Sequence, residues 1–107
     1  MTDLEITRLC AEAMEWGYEL DEHGGYYDSE GSSRSYWPLF DDAQAMALVK
    51  KLELGVSPMA AKVLGWEAIC WKENKAEHRV VHESLNRAIC ECVANMQSAT
   101  VDRSAKP

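Results

Sequence analysis

Between Leu85 and Met96, apolar residues fall at Leu85, Ala88, Ile89, Cys92, Val93 and Met96, at steps of three, one, three, one and three. That spacing draws one stripe along an α-helix and matches no face of a strand. A helix with such a stripe gains most of its stability from the surface it packs on, so the rest of the chain must supply that surface. The 107 residues suffice for one domain of this kind and not for several. The domain is expected over residues 1–97. Beyond it, Asp102, Arg103 and Lys106 leave little to bury, and 98–107 is predicted to be a flexible C-terminal tail.

Two more helices are marked by their beginnings. Thr2 and Glu5 stand at the spacing of a capping box, which starts a helix at Asp3 with Ile6, Leu9, Cys10, Ala13 and Met14 on one face and Gly17 as its stop. Asp41 as N-cap and Gln44 at the third helical position start a second helix over about 42–52, with Ala45, Met46, Val49 and Leu52 on one stripe. Lys50 and Lys51 close it, where cations suit the negative end of the helix dipole.

Strands are expected between these helices. Leu52, Leu54 and Val56 alternate with polar residues or glycine, residues 66–72 look extended, and His78–Val81 reads as an edge strand. Residues 57–65 read as a short turn or helix, and Asn74-Lys75 as a turn. Gly24-Gly25 predicts the turn of a short hairpin, and the small polar run 29–35 predicts a mobile loop. Helices at both ends of a few short strands give the α+β class: a small antiparallel sheet of about three to four strands covered by three main helices.

The segments Thr7–Met14, Asp42–Lys51 and Leu85–Cys92 together resemble the phage alpha-beta-alpha sandwich domain, a family of small bacteriophage and prophage proteins. The resemblance implies an antiparallel sheet between helical layers, in an α/β/α sandwich. It implies no activity and carries over no catalytic residue.

Charge narrows the function. Residues 1–42 hold eleven acids against Arg8 and Arg34, a balance of −9, while 43–107 carry +2. An overall charge of −7 disfavours a general grip on nucleic acid, which needs clustered Lys and Arg. No apolar run reaches the length of a membrane span and the N-terminus lacks a signal-peptide pattern, so a cytoplasmic location is expected; the phage resemblance implies that this is the cytoplasm of a bacterial host. The regional acidity can serve a basic partner or attraction between two copies of the chain.

No residue set meets the demands of catalysis, and neither a metal nor a cofactor is expected. Cys10, Cys70, Cys90 and Cys92 lack framework spacing and are expected as free thiols. His78, His82, Cys90 and Cys92 suggest zinc, yet residues two apart on a helix point about 200° apart, and histidines four apart on a strand sit about 13 Å apart. Cys70, with His78 and His82 nearby, is the one thiol that could act as a nucleophile. No phosphate loop is present, since Gly24-Gly25 precedes neither a lysine nor a helix.

The surplus is aromatic, with four Trp and four Tyr. Trp66 and Trp71 lie five apart and are expected to anchor opposite faces of the sheet. Tyr26, Tyr27, Tyr36 and Trp37 flank the 29–35 loop, and large rigid side chains of this kind dominate protein interfaces. They are the candidate partner-binding residues. The expected function is therefore that of a non-enzymatic protein that binds a protein partner or a second copy of itself; the resemblance implies a phage or prophage accessory protein, with a partner of host or phage origin. The alternative is a nucleic-acid-linked regulator, touching DNA through Lys50, Lys51, Lys62, Lys72, Lys75, Arg79 and Arg87 or mimicking it with the acidic half.

Overall fold

The computed structural model describes residues 1–15, 17, 19–59, 65–72 and 75–105, and of residues 72, 75, 76 and 100–105 the backbone alone. Along the chain run α1 (Asp3–Ala13), β1 (Gly25–Tyr27), β2 (Ser33–Ser35), α2 (Asp42–Leu52), β3 (Gly55–Pro58), β4 (Trp66–Lys72), β5 (Lys75–His82) and α3 (Leu85–Ala105). The class is α+β, with three helices, an antiparallel sheet in the order β3-β4-β5 and a separate β1-β2 ribbon.

The centre of the molecule is α3. Ala88, Ile89, Cys90, Cys92, Val93 and Ala94 are all fully buried, so this helix is enclosed on nearly every side. One side of it packs on β4 and β5; α1 and α2 pack mainly on α3 rather than on the sheet. Polar ties at the helix starts fix this arrangement. The Arg87 guanidinium bonds Asp3 of α1 at 3.0 Å and Glu91 at 2.9 Å, and the Asn86 amide donates to Asp42 of α2 at 2.8 Å. The N-caps are as expected: the Thr2 hydroxyl accepts from the Glu5 N–H and the Asp41 carboxylate from the Gln44 N–H.

Alternation along β4 sorts its side chains between two faces. Ala68 and Cys70 face α3 and are buried. Glu67 lies on the other face, yet is 8% exposed because Arg79, diagonally across the ladder, covers it with an ion pair whose Nε–Oε2 distance is 2.6 Å. Trp71 also takes this outer face and is 52% exposed. Its expected role as a core anchor is corrected here: it stands half in solvent, with its indole over Gly55 of β3. Trp66, by contrast, packs on the core.

The β1-β2 ribbon departs most from expectation. Two five-residue turns of the same design flank β1, Asp21-Glu22-His23-Gly24-Gly25 and Asp28-Ser29-Glu30-Gly31-Ser32. In each, the leading aspartate carboxylate accepts from the N–H groups two and four residues on, at 2.7 and 2.8 Å in the first turn and 2.9 Å twice in the second. In each, the glycine holds a positive φ, +74° at Gly24 and +81° at Gly31, which residues with a Cβ adopt only at a cost. The hairpin turn is therefore 28–32, not Gly24-Gly25, which close the turn leading into β1. Nor is 29–35 an unstructured loop: it holds the end of that turn and all of β2, paired Gly25 to Ser35 and Tyr27 to Ser33. Its backbone N–H groups find a carboxylate and a ladder partner, which composition alone does not reveal.

At the C-terminal end α3 continues to Ala105 where a flexible tail from 98 is expected. No glycine or proline interrupts residues 85–105, so nothing stops the backbone ladder. The expected turn or helix within 57–65 falls largely on residues outside the described set, as does Asn74.

Candidate protein-binding surface

The segment between the ribbon and α2 is held by one glutamine. The Gln44 side chain accepts from the Trp37 N–H at 2.7 Å and donates to the Ser35 carbonyl at 2.9 Å, while its backbone is capped by Asp41. It thus reaches past the N-cap to fix the chain that precedes it. The Trp37 indole N–H donates to the His23 carbonyl, which ties the same segment to the first aspartate turn. Pro38 and Leu39 turn inward and are buried, with the Phe40 N–H closing the turn onto the Trp37 carbonyl at 3.0 Å.

This scaffold divides the four candidate aromatics. Tyr27 is 72% exposed, on the face of β1 opposite Tyr26, which packs against the core. Trp37 is half-buried. Tyr36 is 1% exposed and is a core residue, so its assignment as a partner-binding side chain is corrected: the N–H bond from Tyr36 to the Gly24 carbonyl turns it inward. Burial, with Cys10, Cys90 and Tyr26 nearby, pushes its phenol well above the ordinary range.

Phe40, absent from the candidate set, is the most exposed of these rings at 76%, with its centroid 6.5 Å from that of Trp37 and its plane tilted by 57°. A sequence signal for it existed. An apolar residue just before an N-cap usually packs on the fourth helical residue, here Ala45, which is small and already fully buried. Phe40 has nothing to staple to.

The same −9 region also exposes carboxylates at Glu22, Glu30, Asp41 and Asp42. Asp21 is held below its usual range by the Gly25 and then the His23 N–H, and Asp28 by the Ser32 N–H, the Arg34 side chain and the Glu30 N–H. A carboxylate depressed in the folded state adds stability above its unfolded pKa, and that stability drains away as pH falls through the folded value. The ribbon is therefore expected to loosen selectively below about pH 3.8, the ordinary aspartate value. Amide exchange at Glu30 and Ser32 followed by NMR down to pH 2 should show loss of protection there before α3 is affected; simultaneous loss in both would contradict it.

The remaining sequence candidates are dispersed. Cys90 and Cys92 point to different layers: the Cys10 thiol of α1 donates to the Cys90 carbonyl at 3.6 Å, and Cys92 meets Cys70 of β4. Among the described residues no group of three or more His, Cys, Asp or Glu converges as a metal-ion cage would. His82 Nδ1 accepts from the Ser84 N–H at 2.9 Å. Of the basic set, Arg79 and Arg87 are held by carboxylates, Lys51 lies 3.6 Å from Glu15, Lys62 is outside the described residues, and the side chains of Lys72 and Lys75 are not described. No described helix is long and apolar enough to cross a membrane.

No family model matches the chain, and no curated protein matches it. Among solved structures, a phage protein from Bacillus cereus ATCC 14579 superposes with a TM-score of 0.64 over 88% of this chain and 90% of that one, at 20% identity. The fold is shared with a phage protein. This agrees with the coarse part of the sequence resemblance, a fold found in phage proteins, while the specific sandwich family finds no matching model.

Proposed function

We propose that the protein is a phage or prophage accessory protein that works by binding another protein rather than by catalysis. The binding surface is Tyr27, Trp37 and Phe40 with the acidic residues around them, and the fitting partner is a basic protein segment. The observation that carries this reading is the exposure of Phe40 and Tyr27, 76% and 72%, within a region of charge −9. Exposed aromatic rings contribute large contact area at small entropic cost, and their faces attract Lys and Arg. Three positions of the basic alternative, Lys51, Arg79 and Arg87, are already engaged by carboxylates, which favours the protein reading over DNA contact. The likeness to a phage protein supports the biological setting.

The test is capture from nuclease-treated bacterial lysate by the tagged protein, followed by direct binding to the purified captured partner. Replacing Phe40 and Tyr27 by Ala should weaken that binding about tenfold or more while the melting temperature holds, and raising salt should weaken it further. Binding insensitive to both would overturn the assignment of the surface; self-association without another partner would redirect it to a second copy of the chain.

A further inference from the structure

We propose that Cys70 and Cys92 form an oxidisable dithiol that closes to a disulfide between β4 and α3 when the protein meets hydrogen peroxide. The two sulfurs lie 3.1 Å apart, about 1 Å beyond a disulfide bond, on elements packed against each other. Both side chains are buried, Cys70 at 2% and Cys92 at 0% exposure. The backbone beside them supplies the way in. The β4-β5 ladder loses register between Cys70 and Trp71, just where the Cys92 thiol reaches the His78 carbonyl at 3.5 Å, and Trp71 itself is half out in solvent. A ladder is weakest at such a bulge, and opening there admits a molecule the size of peroxide. The Cys70 hydrogen bond also draws the Cys92 thiol below its ordinary value, making Cys92 the attacking sulfur.

The reaction balances. The Cys92 thiolate attacks one peroxide oxygen, forming an S–O bond and breaking O–O; the released hydroxide takes the thiol proton and leaves as water. The Cys70 sulfur then attacks the Cys92 sulfenic sulfur, forming S–S and breaking S–O, and its proton leaves with the hydroxyl as a second water. Two thiols lose two electrons and peroxide gains them. The other thiol pair, Cys10 and Cys90, joins α1 to α3 and serves as an internal comparison: the Cys10 thiol bonds the Cys90 carbonyl at 3.6 Å, whereas the Cys70 thiol reaches both the Cys92 carbonyl at 3.7 Å and the Cys92 sulfur at 3.1 Å.

The experiment oxidises the folded, reduced chain with hydrogen peroxide, blocks remaining thiols and maps the product by mass spectrometry after trypsin. The expected result is a loss of two hydrogens and a cross-link joining peptide 63–72 to peptide 88–103, with fragmentation placing it on Cys92. The oxidised protein should melt at higher temperature, and dithiothreitol should reverse both changes. Cys90→Ser should keep the cross-link and Cys92→Ser should lose it; the mapping on the unsubstituted chain decides even if Cys92→Ser does not fold. A cross-link to Cys10 or Cys90, oxygen addition without a cross-link, or no reaction of the folded chain would overturn the proposal.

Discussion

Gly24→Ala is expected to destabilise the protein by about 2–4 kcal/mol, far more than the same change at Gly31. Both glycines hold a positive φ, and strain from that source alone costs about 1 kcal/mol. Their surroundings differ. A Cβ at Gly31 would meet nothing within 4 Å, whereas at Gly24 it would lie 2.8 Å from the Tyr36 carbonyl oxygen and closer still to the Trp37 indole. Neither neighbour can yield: the Tyr36 backbone is bonded to Gly24 itself, and the Trp37 ring is tied to the His23 carbonyl. Urea unfolding of the two variants reads the difference directly. Equal losses would mean that the 21–25 turn relaxes freely and does not hold the Trp37 segment in place.

Tyr36→Ala and Phe40→Ala should separate stability from recognition. Tyr36 is a fully buried large side chain, and its removal is expected to cost about 3–5 kcal/mol, most of the margin of a small domain. Phe40, four residues on and 76% exposed, should cost no more than about 0.5 kcal/mol while weakening partner binding. Thermal melts and a binding titration on both variants check the pair of outcomes. A stable Tyr36→Ala protein would contradict the placement of this ring in the core, and a strongly destabilised Phe40→Ala protein would make Phe40 a structural residue.

These contrasts also show where sequence reasoning reaches and where it stops. Helices α1 and α2 were legible because Thr2 and Asp41 are local signals: each cap acts on backbone N–H groups within three residues. Strand β4 and the stripe on α3 were legible by periodicity. The second buried face of α3 was not, although Cys90 and Ala94 lie off the stripe and are as buried as Ile89; cysteine and alanine are too weakly apolar to announce burial. The aspartate turns were missed for a different reason. Asp28 looks like one more charge in a polar run, and only the three-dimensional path shows its carboxylate accepting two N–H groups and the Arg34 side chain. For the candidate surface, composition marked the neighbourhood of Tyr26, Tyr27, Tyr36 and Trp37 but not the direction of each ring. That direction is set by Gln44 and the His23 carbonyl, partners seven and fourteen residues from Trp37.

The enclosed position of α3 also bears on how the chain comes to be folded. The surface that α1, α2 and the sheet have in common belongs to the element synthesised after all of them, and the Cys10 thiol bonds a carbonyl 80 residues further on. On the ribosome, residues 1–84 therefore wait without their shared support. Closing such distant pairings is slow, because the entropy of the intervening chain is lost before the packing is gained. Until α3 has cleared the exit tunnel, the growing chain holds Ile6, Leu48, Ala68 and Cys70, all buried in the finished fold, open to whatever meets it.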